Sequence, residues 1–412
     1  MVKIFCGIDW AEHHHDVALV DDQGIVVARR RIGDDTDGFR TLLELFTEHG
    51  DRPDNPIPVA IETSRGLLVA CLRATGRAIY AINPLAASRY RERHSVARAK
   101  SDHADAVMLA NIVRTDAAAH RRLPADTELV QAIAVLARAG QDAAWNRQQI
   151  ANQLRSVLRE YFPAALEAFQ KVKYGLASVE ARTVLAAAPT PARARRLTKG
   201  QIRKLLVKAG RQRGIDEWVD RLHHLFRTEQ LRQLQVVETA FGEQARGLLL
   251  QLDAACQAAD HLATETQRVF EQHPDGPILT SFPGLGALSG ARILGEIGDD
   301  RARFTDARNL RAYAGSAPVT RASGKSLVVM QRKVKNQRLA AAGYIWTFAA
   351  LTASPHARAH YDRRRDAGDG HAAALRNLFN KFLGQLHHCL ATGQRYDPNH
   401  AFPNIESTAT AA

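Results

Sequence analysis

Short apolar runs and helical spacing alternate over about the first 115 residues. The runs "KIFCGIDW", "DVALV" and "IVVARRRI" predict three strands, and the Asp-Asp-Gln-Gly between the last two is a hairpin signal. "IPVAIET" and "AIYAIN" predict two further strands, separated by the helical pattern "RGLLVACLRATG". A strand meander followed by alternating helices and strands predicts an α/β layout with a mixed sheet. No G-x-G-x-x-G follows the first strand, so a dinucleotide-binding fold is not predicted.

Two long helical patterns occupy the middle of the chain, where strand signals disappear. The first extends from "ELVQAIAVL" to "LREYF", and the second from about Trp218 to Phe270. Helices of this length predict a helical hairpin or a coiled-coil arm. Between them, "AAAPTPARARRLTKG" is predicted to be a linker.

The last third of the chain is helical with glycine-rich turns. "SFPGLGALSGARILGEIGD" predicts helix, tight turn and helix, and it resembles a helix-hairpin-helix. Gly284 and Gly286 would free the turn, and the next helix N-terminus would offer N–H groups to a phosphate. A plain helix corner is the alternative. Beyond it we predict a helix running into a glycine- and serine-rich loop, then helices near 336–352 and 371–392.

With 412 residues, the chain is too long for one ordinary domain. The patterns predict an α/β plus α protein. Its predicted segments are an α/β domain at 1–125, a helical, coiled-coil-like region at 126–272, a mostly helical C-terminal domain at 273–398 and a disordered tail at 399–412.

The chain is strongly basic, with a net charge of +13 and a pI of about 9.9. This charge favours a polyanionic partner, nucleic acid before an anionic membrane. Residues 193–213 contain nine Lys or Arg and no Asp or Glu, with a solvated helix face as the alternative interpretation. The residues predicted to contact nucleic acid are Lys100, Arg193, Arg195, Arg196, Lys199, Arg203, Lys204, Gly284, Gly286, Arg321, Lys325, Arg332 and Lys333.

Targeting and redox signals point to a cytoplasmic protein. No run of about 18 apolar residues predicts a membrane span, and "MVKIFCGIDW" lacks the pattern of a signal peptide. The four cysteines are far apart, without a CxxC pair, and are predicted to be buried thiols in a reducing compartment. The run His13–His15 is predicted to be a solvated turn, because three consecutive strand side chains cannot face one ion.

Four carboxylates fall where sites are usually assembled. Asp9 ends the first strand, Glu62 ends "IPVAIE", and Asp102 and Asp105 lie three apart on one helical face. Like charges brought together raise each other's pKa, and a divalent cation relieves that cost. The alternative is that each acid is incidental, with Asp102 as a helix cap. The preceding Arg93, Arg98 and Lys100 would suit a nucleic-acid strand.

These stretches resemble a known family. "GIDWAEHHHDVALVD", "AIETSRG" and "AKSDHADAVMLA" resemble the Asp-Glu-Asp-Asp signature of a RuvC-like, RNase H-fold domain, as in the DEDD transposases of the insertion sequence 110 family. "NQLRSVLREYFP" is similar to the helical region of the family, and "LTSFPGLGALSGARILGEIGD" with "FTDARNLRAYAGSAPVTRASGKS" is similar to its C-terminal transposase domain. The segment 165–270 resembles the family least. "RKVKNQRL" replaces the more usual Lys-Arg-Gly-Asn and is expected to keep the basic character but not the turn.

The resemblance implies a transposase, a site-specific DNA recombinase that moves its own insertion sequence. It implies Mg²⁺ or Mn²⁺ bound by Asp9, Glu62, Asp102 and Asp105, and Ser323 as a nucleophile that becomes covalently attached to DNA. It also implies a structured bridge-type guide RNA that pairs with donor and target double-stranded DNA. Finally, it implies a homo-oligomer, a dimer of dimers, with a site shared between the acidic domain of one subunit and the serine domain of another.

Judged from its neighbours alone, Ser323 is one of several loop serines. A serine hydroxyl needs a base or a metal to activate it, and no histidine is close in sequence. Arg321 and Lys325 flank it and could neutralise a phosphate. Ser316 and Ser326 compete with it on spacing alone.

Two rival functions differ in what they require. A RuvC- or RNase H-like hydrolytic endonuclease, such as a junction resolvase, needs the four carboxylates but not Ser323. A catalytically dead nucleic-acid-binding scaffold tolerates loss of the carboxylates as well. The recombinase needs both sets of residues.

Overall fold

The structure is a computed structural model that describes residues 2–94, 102–324 and 326–402, with the backbone alone at 93, 94, 102, 103 and 326. The chain divides into two compact units, Met1–Ala125 and Asp126–Ala412. The predicted residues Arg98, Lys100 and Lys325 and most of the predicted tail therefore lie outside the described part.

The first unit is the predicted α/β domain. In chain order its elements are β1 (Phe5–Trp10), β2 (His14–Val20), β3 (Val26–Gly33), α1 (Thr36–Glu48), β4 (Val59–Ile61), α2 (Leu67–Ala74), β5 (Ile79–Ala81), α3 (Pro84–His94) and α4 (Asp102–Asp116). The sheet order is β3-β2-β1-β4-β5. β1 to β3 are antiparallel neighbours, whereas β1, β4 and β5 pair in parallel, so the mixed sheet is confirmed.

Apolar side chains cover both faces of this sheet, because alternate residues of a strand face opposite sides. Ile8 and Ile61 face a core that contains Leu42 of α1 and Leu68 of α2. Residues of the other parity, such as Ala60, face a second core formed largely by α4. The central strands β1 and β4 are thus buried on both faces, which explains their continuous apolar runs.

Helix α4 lies directly against β1 at Gly7. A Cβ at this position would overlap the carbonyl oxygen of Ala106 and the backbone nitrogen of Ala110. Only glycine permits this approach, and the approach places the first turns of α4 over the strand that carries Asp9.

Replacing Gly7 with alanine should therefore destabilise the first unit. Overpacking against backbone atoms costs about 1–3 kcal/mol, so the Gly7→Ala protein should have a lower unfolding midpoint in urea. Gly247→Ala is the matched control: this helical glycine has open space around its missing Cβ, and alanine there should be neutral or stabilising. An unchanged Gly7→Ala midpoint would contradict the close packing.

The prediction of a solvated histidine turn holds only for His13, which lies exposed in a bend, and was wrong for His14 and His15. His14 begins β2, and the His15 side chain is completely buried, with Nε2 hydrogen-bonded to Asp34 Oδ1 at 3.1 Å. The ring of Trp10 stacks on His15 with centroids 6.4 Å apart. A polar partner and an aromatic neighbour offset the cost of burying this histidine, which the sequence pattern did not indicate.

The second unit is mainly helical. Its helices are α5 (Glu128–Tyr161), α6 (Pro163–Phe169), α7 (Val179–Ala187), α8 (Pro191–Arg196), α9 (Lys199–Lys208), α10 (Ile215–Leu225), α11 (Gln235–Phe270), α12 (Gly276–Thr280), α13 (Ala287–Ile297), α14 (Ala307–Ala314), α15 (Gln337–Ala353), α16 (Pro355–Asp366), α17 (His371–Thr392) and α18 (Pro398–Ala401). A separate hairpin, β6 (Val319–Ser323) and β7 (Ser326–Met330), follows α14. One core spans residues 150 to 256, and a second joins the start of α5 to residues 270–402.

Helices α5 and α11 pack antiparallel, so they form the predicted helical hairpin. Arg147 of α5 pairs with Asp260 at 3.7 Å, and Tyr161 stacks on Phe241 with ring centroids 5.3 Å apart. The supercoiling of a coiled coil stays a prediction. The second pattern is interrupted, because α10 ends at Leu225 and α11 begins only at Gln235.

The segment predicted to be a linker is packed instead. Pro189 is buried and accepts a hydrogen bond from the Tyr161 hydroxyl at 2.5 Å. Thr190 caps α8, and Glu238 Oε1 accepts from the backbone nitrogen of Ala192. Proline and alanine composition indicated a flexible connection here, but tertiary contacts fix this turn in the core.

Three further expectations needed correction. The glycine- and serine-rich loop after α14 is the β6–β7 hairpin, and α16 was not predicted at all. The predicted disorder was wrong for residues 399–402, because Pro398–Ala401 is helical and Phe402 is buried. Of the four cysteines, Cys71 is exposed, whereas the other three are buried as expected. Within the described part of the chain, no helix is both long and apolar enough to span a membrane.

Candidate functional site

Asp9 and Glu62 lie at the same edge of the sheet. β1 and β4 are parallel, with Ile8 opposite Ile61, so Asp9 and Glu62 occupy the next position on neighbouring strands. Asp9 has the same parity as Gly7, the residue that contacts α4. Asp9 therefore belongs to the face of the sheet that α4 covers, and Glu62, in the bend just after β4, shares its edge; both residues are half-buried.

Asp105 lies in the first turns of α4 and is only 6% exposed. Its Oδ1 accepts a hydrogen bond from Nη2 of Arg91 at 2.6 Å, an ion pair between α3 and α4. Asp102 is the first residue of the same helix, and its side chain lies outside the described atoms. Asp9 and Glu62 thus lie at one edge of the sheet, and Asp105 lies on the helix that packs on this sheet.

This donor set fits a hard divalent cation. Carboxylate oxygens are the ligands that Mg²⁺ prefers, and half-buried acids on one face gain from a counter-charge. Among the described side chains, no group of three or more His, Cys, Asp or Glu is close enough to hold a metal ion, and Asp102 is outside that set. The four-carboxylate site stays a prediction. In this structure the positive charge beside Asp105 is that of Arg91.

Asp16 is an acid at this edge that sequence reasoning missed. It lies directly opposite Asp9 on β2 and is 2% exposed. Arg31 neutralises it through two hydrogen bonds of 3.1 and 2.8 Å. The alternation of β2 could have indicated its face, but its pairing with Asp9 follows only from the strand register.

Ser323 is the last residue of β6 and is exposed at the tip of the hairpin. It pairs with Ser326 across a turn in which Gly324 has φ +54°, a conformation that glycine adopts readily. Arg321 lies two residues earlier, on the same face of the strand. Ser316, by contrast, is 5% exposed, and its hydroxyl donates to Asn380 Oδ1 at 3.0 Å.

The predicted basic surface is smaller than the sequence count suggests. The cations of α8 and α9 are exposed, but Lys199 pairs with Asp220 at 2.7 Å and Arg203 pairs with Asp216. Both acids belong to α10, which follows the acid-free stretch. The cations of α8 and α9 without an ion pair among the described residues are Arg193, Arg195, Arg196, Lys204 and Lys208.

The difference between the ion-paired and the unpaired cations of α8 and α9 provides a direct test of nucleic-acid binding. Removing one phosphate-binding cation should reduce the slope of log K against log salt by about 1. We expect Arg193→Gln, Arg195→Gln and Arg196→Gln together to reduce that slope in DNA titrations. The Lys199→Gln/Arg203→Gln double variant, in which ion-paired cations are removed, should change it less. Equal slopes in the wild type and both variants would exclude this surface.

The two glycines of the predicted helix-hairpin-helix differ in their surroundings. Gly284 has φ +74°, and a Cβ there would lie 2.5 Å from the backbone nitrogen of Ala350 in α15. Close packing therefore explains Gly284. Gly286 is exposed and immediately precedes α13, so contact with a phosphate stays a prediction for this residue.

A polar network that the sequence did not reveal fixes the segment after the hairpin. Asn336 caps α15 and donates to Glu296 Oε2 at 2.6 Å and to the Tyr313 hydroxyl at 2.7 Å. Glu296 is buried and also accepts from Nε of Arg138 at 2.7 Å. Arg332 and Lys333 lie in the irregular segment between the hairpin and this cap.

Comparisons with known proteins agree with this layout. Residues 6–163 match a family model described as transposase, of the DEDD type of IS110, and residues 276–362 match the transposase IS116/IS110/IS902 family. The chain is 61% identical over 409 residues to the mini-circle putative transposase for IS117 of Streptomyces coelicolor, covering 99% of both chains. It is 30% identical to the IS110 uncharacterized 43.6 kDa protein of the same organism, covering 73% of this chain and 72% of that one. An IS900 uncharacterized 42 kDa protein of Mycobacterium paratuberculosis is 25% identical over 96% of this chain and 97% of its own length.

Proposed function

Because this chain belongs to the IS110/IS116 family of insertion-sequence transposases, we propose that it cuts and rejoins the double-stranded DNA of its own element under the guidance of a structured RNA. The observation that supports the proposal is that Asp9 and Glu62 lie at the ends of the adjacent parallel strands β1 and β4, in the sheet on which α4 packs at Gly7; α4 contains Asp102 and Asp105. Recombination additionally requires Ser323, which a purely hydrolytic nuclease would not use.

The metal would be held by the acidic face, by which we mean Asp9 and Glu62 at the sheet edge together with Asp102 and Asp105 of α4. Asp9, Glu62, Asp102 and Asp105 would supply carboxylate oxygens for Mg²⁺ or Mn²⁺, and the bound cation would stabilise charge on a reacting phosphate and on its leaving oxygen. Arg91 must exchange Asp105 for another partner, such as a phosphate oxygen, when that carboxylate turns to a cation.

Ser323 would supply the covalent step. Its Oγ loses a proton and forms a bond to phosphorus, while the bond from phosphorus to a deoxyribose oxygen breaks and that oxygen gains a proton. The phosphodiester energy is retained in the phosphoserine, so a second DNA hydroxyl can reverse the step and join a new strand. Exposure at a hairpin tip suits this role because the hydroxyl must approach the DNA backbone.

The partners follow the same proposal. Donor and target DNA contact the exposed cations of α8 and α9 together with Arg321, Arg332 and Lys333. A guide RNA pairs with both DNAs and supplies the sequence specificity. A dimer of dimers brings the serine of one subunit to the acidic face of another, so that free monomers do not cut DNA.

A reconstituted reaction tests this function. Purified protein, Mg²⁺ and DNA with the element ends are incubated with or without RNA transcribed from the noncoding ends of the element. Joined strands should form only with that RNA, and an RNA altered in its pairing segments should redirect the target. Joining without RNA would overturn guidance, and hydrolysed ends without joining under all conditions would overturn the recombinase.

A further inference from the structure

We infer that an aromatic and cationic surface at the base of the β6–β7 hairpin binds unpaired nucleotides of single-stranded nucleic acid. The surface consists of Tyr344 and Phe348 of α15, His371 and Arg376 of α17, and Lys335. It lies outside the acidic face and outside the basic surface of α8 and α9. The inference rests on the proposed function only in that the hairpin acts on DNA.

Aromatic rings on this surface are unusually exposed. Tyr344 is 47% exposed and Phe348 is 57% exposed, and both rings meet the imidazole of His371 edge to face at 6.2 and 6.3 Å. A hydrogen bond of 2.7 Å between the Tyr361 hydroxyl and Nδ1 fixes the imidazole. The cluster is therefore held in place while ring surface stays accessible, as in platforms on which bases stack.

A cavity of about 130 Å³ opens beside Tyr344. Lys335 and Arg376 line it, and no acidic residue is among its described lining residues. Neither cation has an ion pair or hydrogen bond among the described residues. The volume is well below the roughly 300–1,000 Å³ of pockets for larger ligands, which suits a single planar or phosphate group.

The surrounding helices carry an excess of positive charge. Burial lowers the pKa of Lys381 on α17, and the nearby charges of Arg363 and Arg311 lower it further. Burial also lowers the pKa of His360 on α16, with Lys381 and Arg363 contributing in the same direction. α17, which supplies His371 and Arg376 to the surface, contains no Asp or Glu, and this excess of positive charge is complementary to the phosphates of a single strand.

The location connects this surface to the hairpin. Gln331 lines the same cavity and directly follows β7, whose partner strand β6 ends at Ser323. Five strand residues span roughly 17 Å, or about five base steps of a B-form strand. Nucleotides that are unpaired within a few base steps of the phosphate facing Ser323 can therefore reach the aromatic and cationic surface.

Equilibrium binding tests the inference without requiring catalysis. Full-length protein carrying Ser323→Ala is titrated with fluorescein-labelled oligothymidylate, oligouridylate or a DNA duplex, and fluorescence anisotropy is measured. Adding Tyr344→Ala should weaken single-strand binding roughly 5- to 100-fold and leave duplex binding nearly unchanged. Tyr344→Phe should retain single-strand binding, because it keeps the ring and loses only the hydroxyl.

Ile345→Ala is the matched control, since Ile345 is also 47% exposed on α15 but cannot stack in this way. Loss with oligothymidylate identifies displaced DNA as the source, loss with oligouridylate identifies unpaired RNA, and loss with both supports the shared chemistry. The inference fails if Tyr344→Ala matches Ile345→Ala, or if Tyr344→Phe is as impaired as Tyr344→Ala. A protein that binds single strands this way but never joins DNA would refute the recombinase alone.

Discussion

Replacing Ser323 with alanine is expected to abolish the covalent protein–DNA adduct and all strand joining. The substitution removes the oxygen that would bond to phosphorus, and loss of such a nucleophile typically costs roughly 10⁴- to 10⁶-fold in rate. Ser323 is exposed at a hairpin tip, so stability and nucleic-acid binding should stay close to wild type. Denaturing gels of reactions with labelled DNA would show the adduct as a protein band that carries the label.

The neighbouring serines provide the controls. Ser316→Ala removes a buried hydroxyl that donates to Asn380, so it should lower stability by about 1 kcal/mol and still permit the adduct. Ser326→Ala removes the other serine of the hairpin turn and should also permit it. An adduct that persists in Ser323→Ala, or cleavage at the full wild-type rate, would favour the hydrolytic nuclease.

Replacing Asp9 with asparagine should eliminate both catalysis and the stabilisation that Mg²⁺ gives the protein. A cation bound only by the folded state stabilises it by about 2.7 kcal/mol when its concentration is a hundredfold above Kd. The wild type should therefore show a higher Tm with Mg²⁺ than with a chelator, whereas Asp9→Asn and Glu62→Gln should show little difference. Isothermal calorimetry with Mg²⁺ measures the same loss directly.

A surface acid distinguishes site loss from a general charge effect. The Asp37 side chain is 80% exposed on α1, where it pairs with Arg40 and lies away from the α4 face. Asp37→Asn should keep the Mg²⁺-dependent rise in Tm and the joining activity. If Asp9→Asn binds Mg²⁺ as tightly as Asp37→Asn does, the predicted metal site is wrong, whatever happens to catalysis.

Local pattern and chemistry determined much of this protein. The five strands of the sheet, the long helices α5 and α11 and the positions of Asp9 and Glu62 at strand ends could all be predicted. These features depend on hydrophobic periodicity, which is a property of residues close together in the sequence. The basic composition likewise indicates a polyanionic partner, because net charge depends on residue types and not on how the chain folds.

Only the tertiary structure decided which residues meet. Strand register placed Asp9 beside Asp16, and packing of α4 on Gly7 brought Asp105 to the same face. α10 supplied Asp216 and Asp220 to cations that appeared unopposed in sequence. Likewise, Tyr161 and Glu238 fixed the linker, and a hydrogen bond to Asp34 accompanied the burial of His15.

The aromatic and cationic surface and the β6–β7 hairpin also could not be predicted from local sequence pattern. β6 has little apolar alternation because it is largely exposed, so this strand resembles a loop in sequence. Tyr344, His371 and Arg376 come from helices separated along the chain, and no local pattern relates them. Periodicity reports which side of an element is buried, whereas the identity of the residue across the interface depends on long-range packing, which only the folded chain specifies.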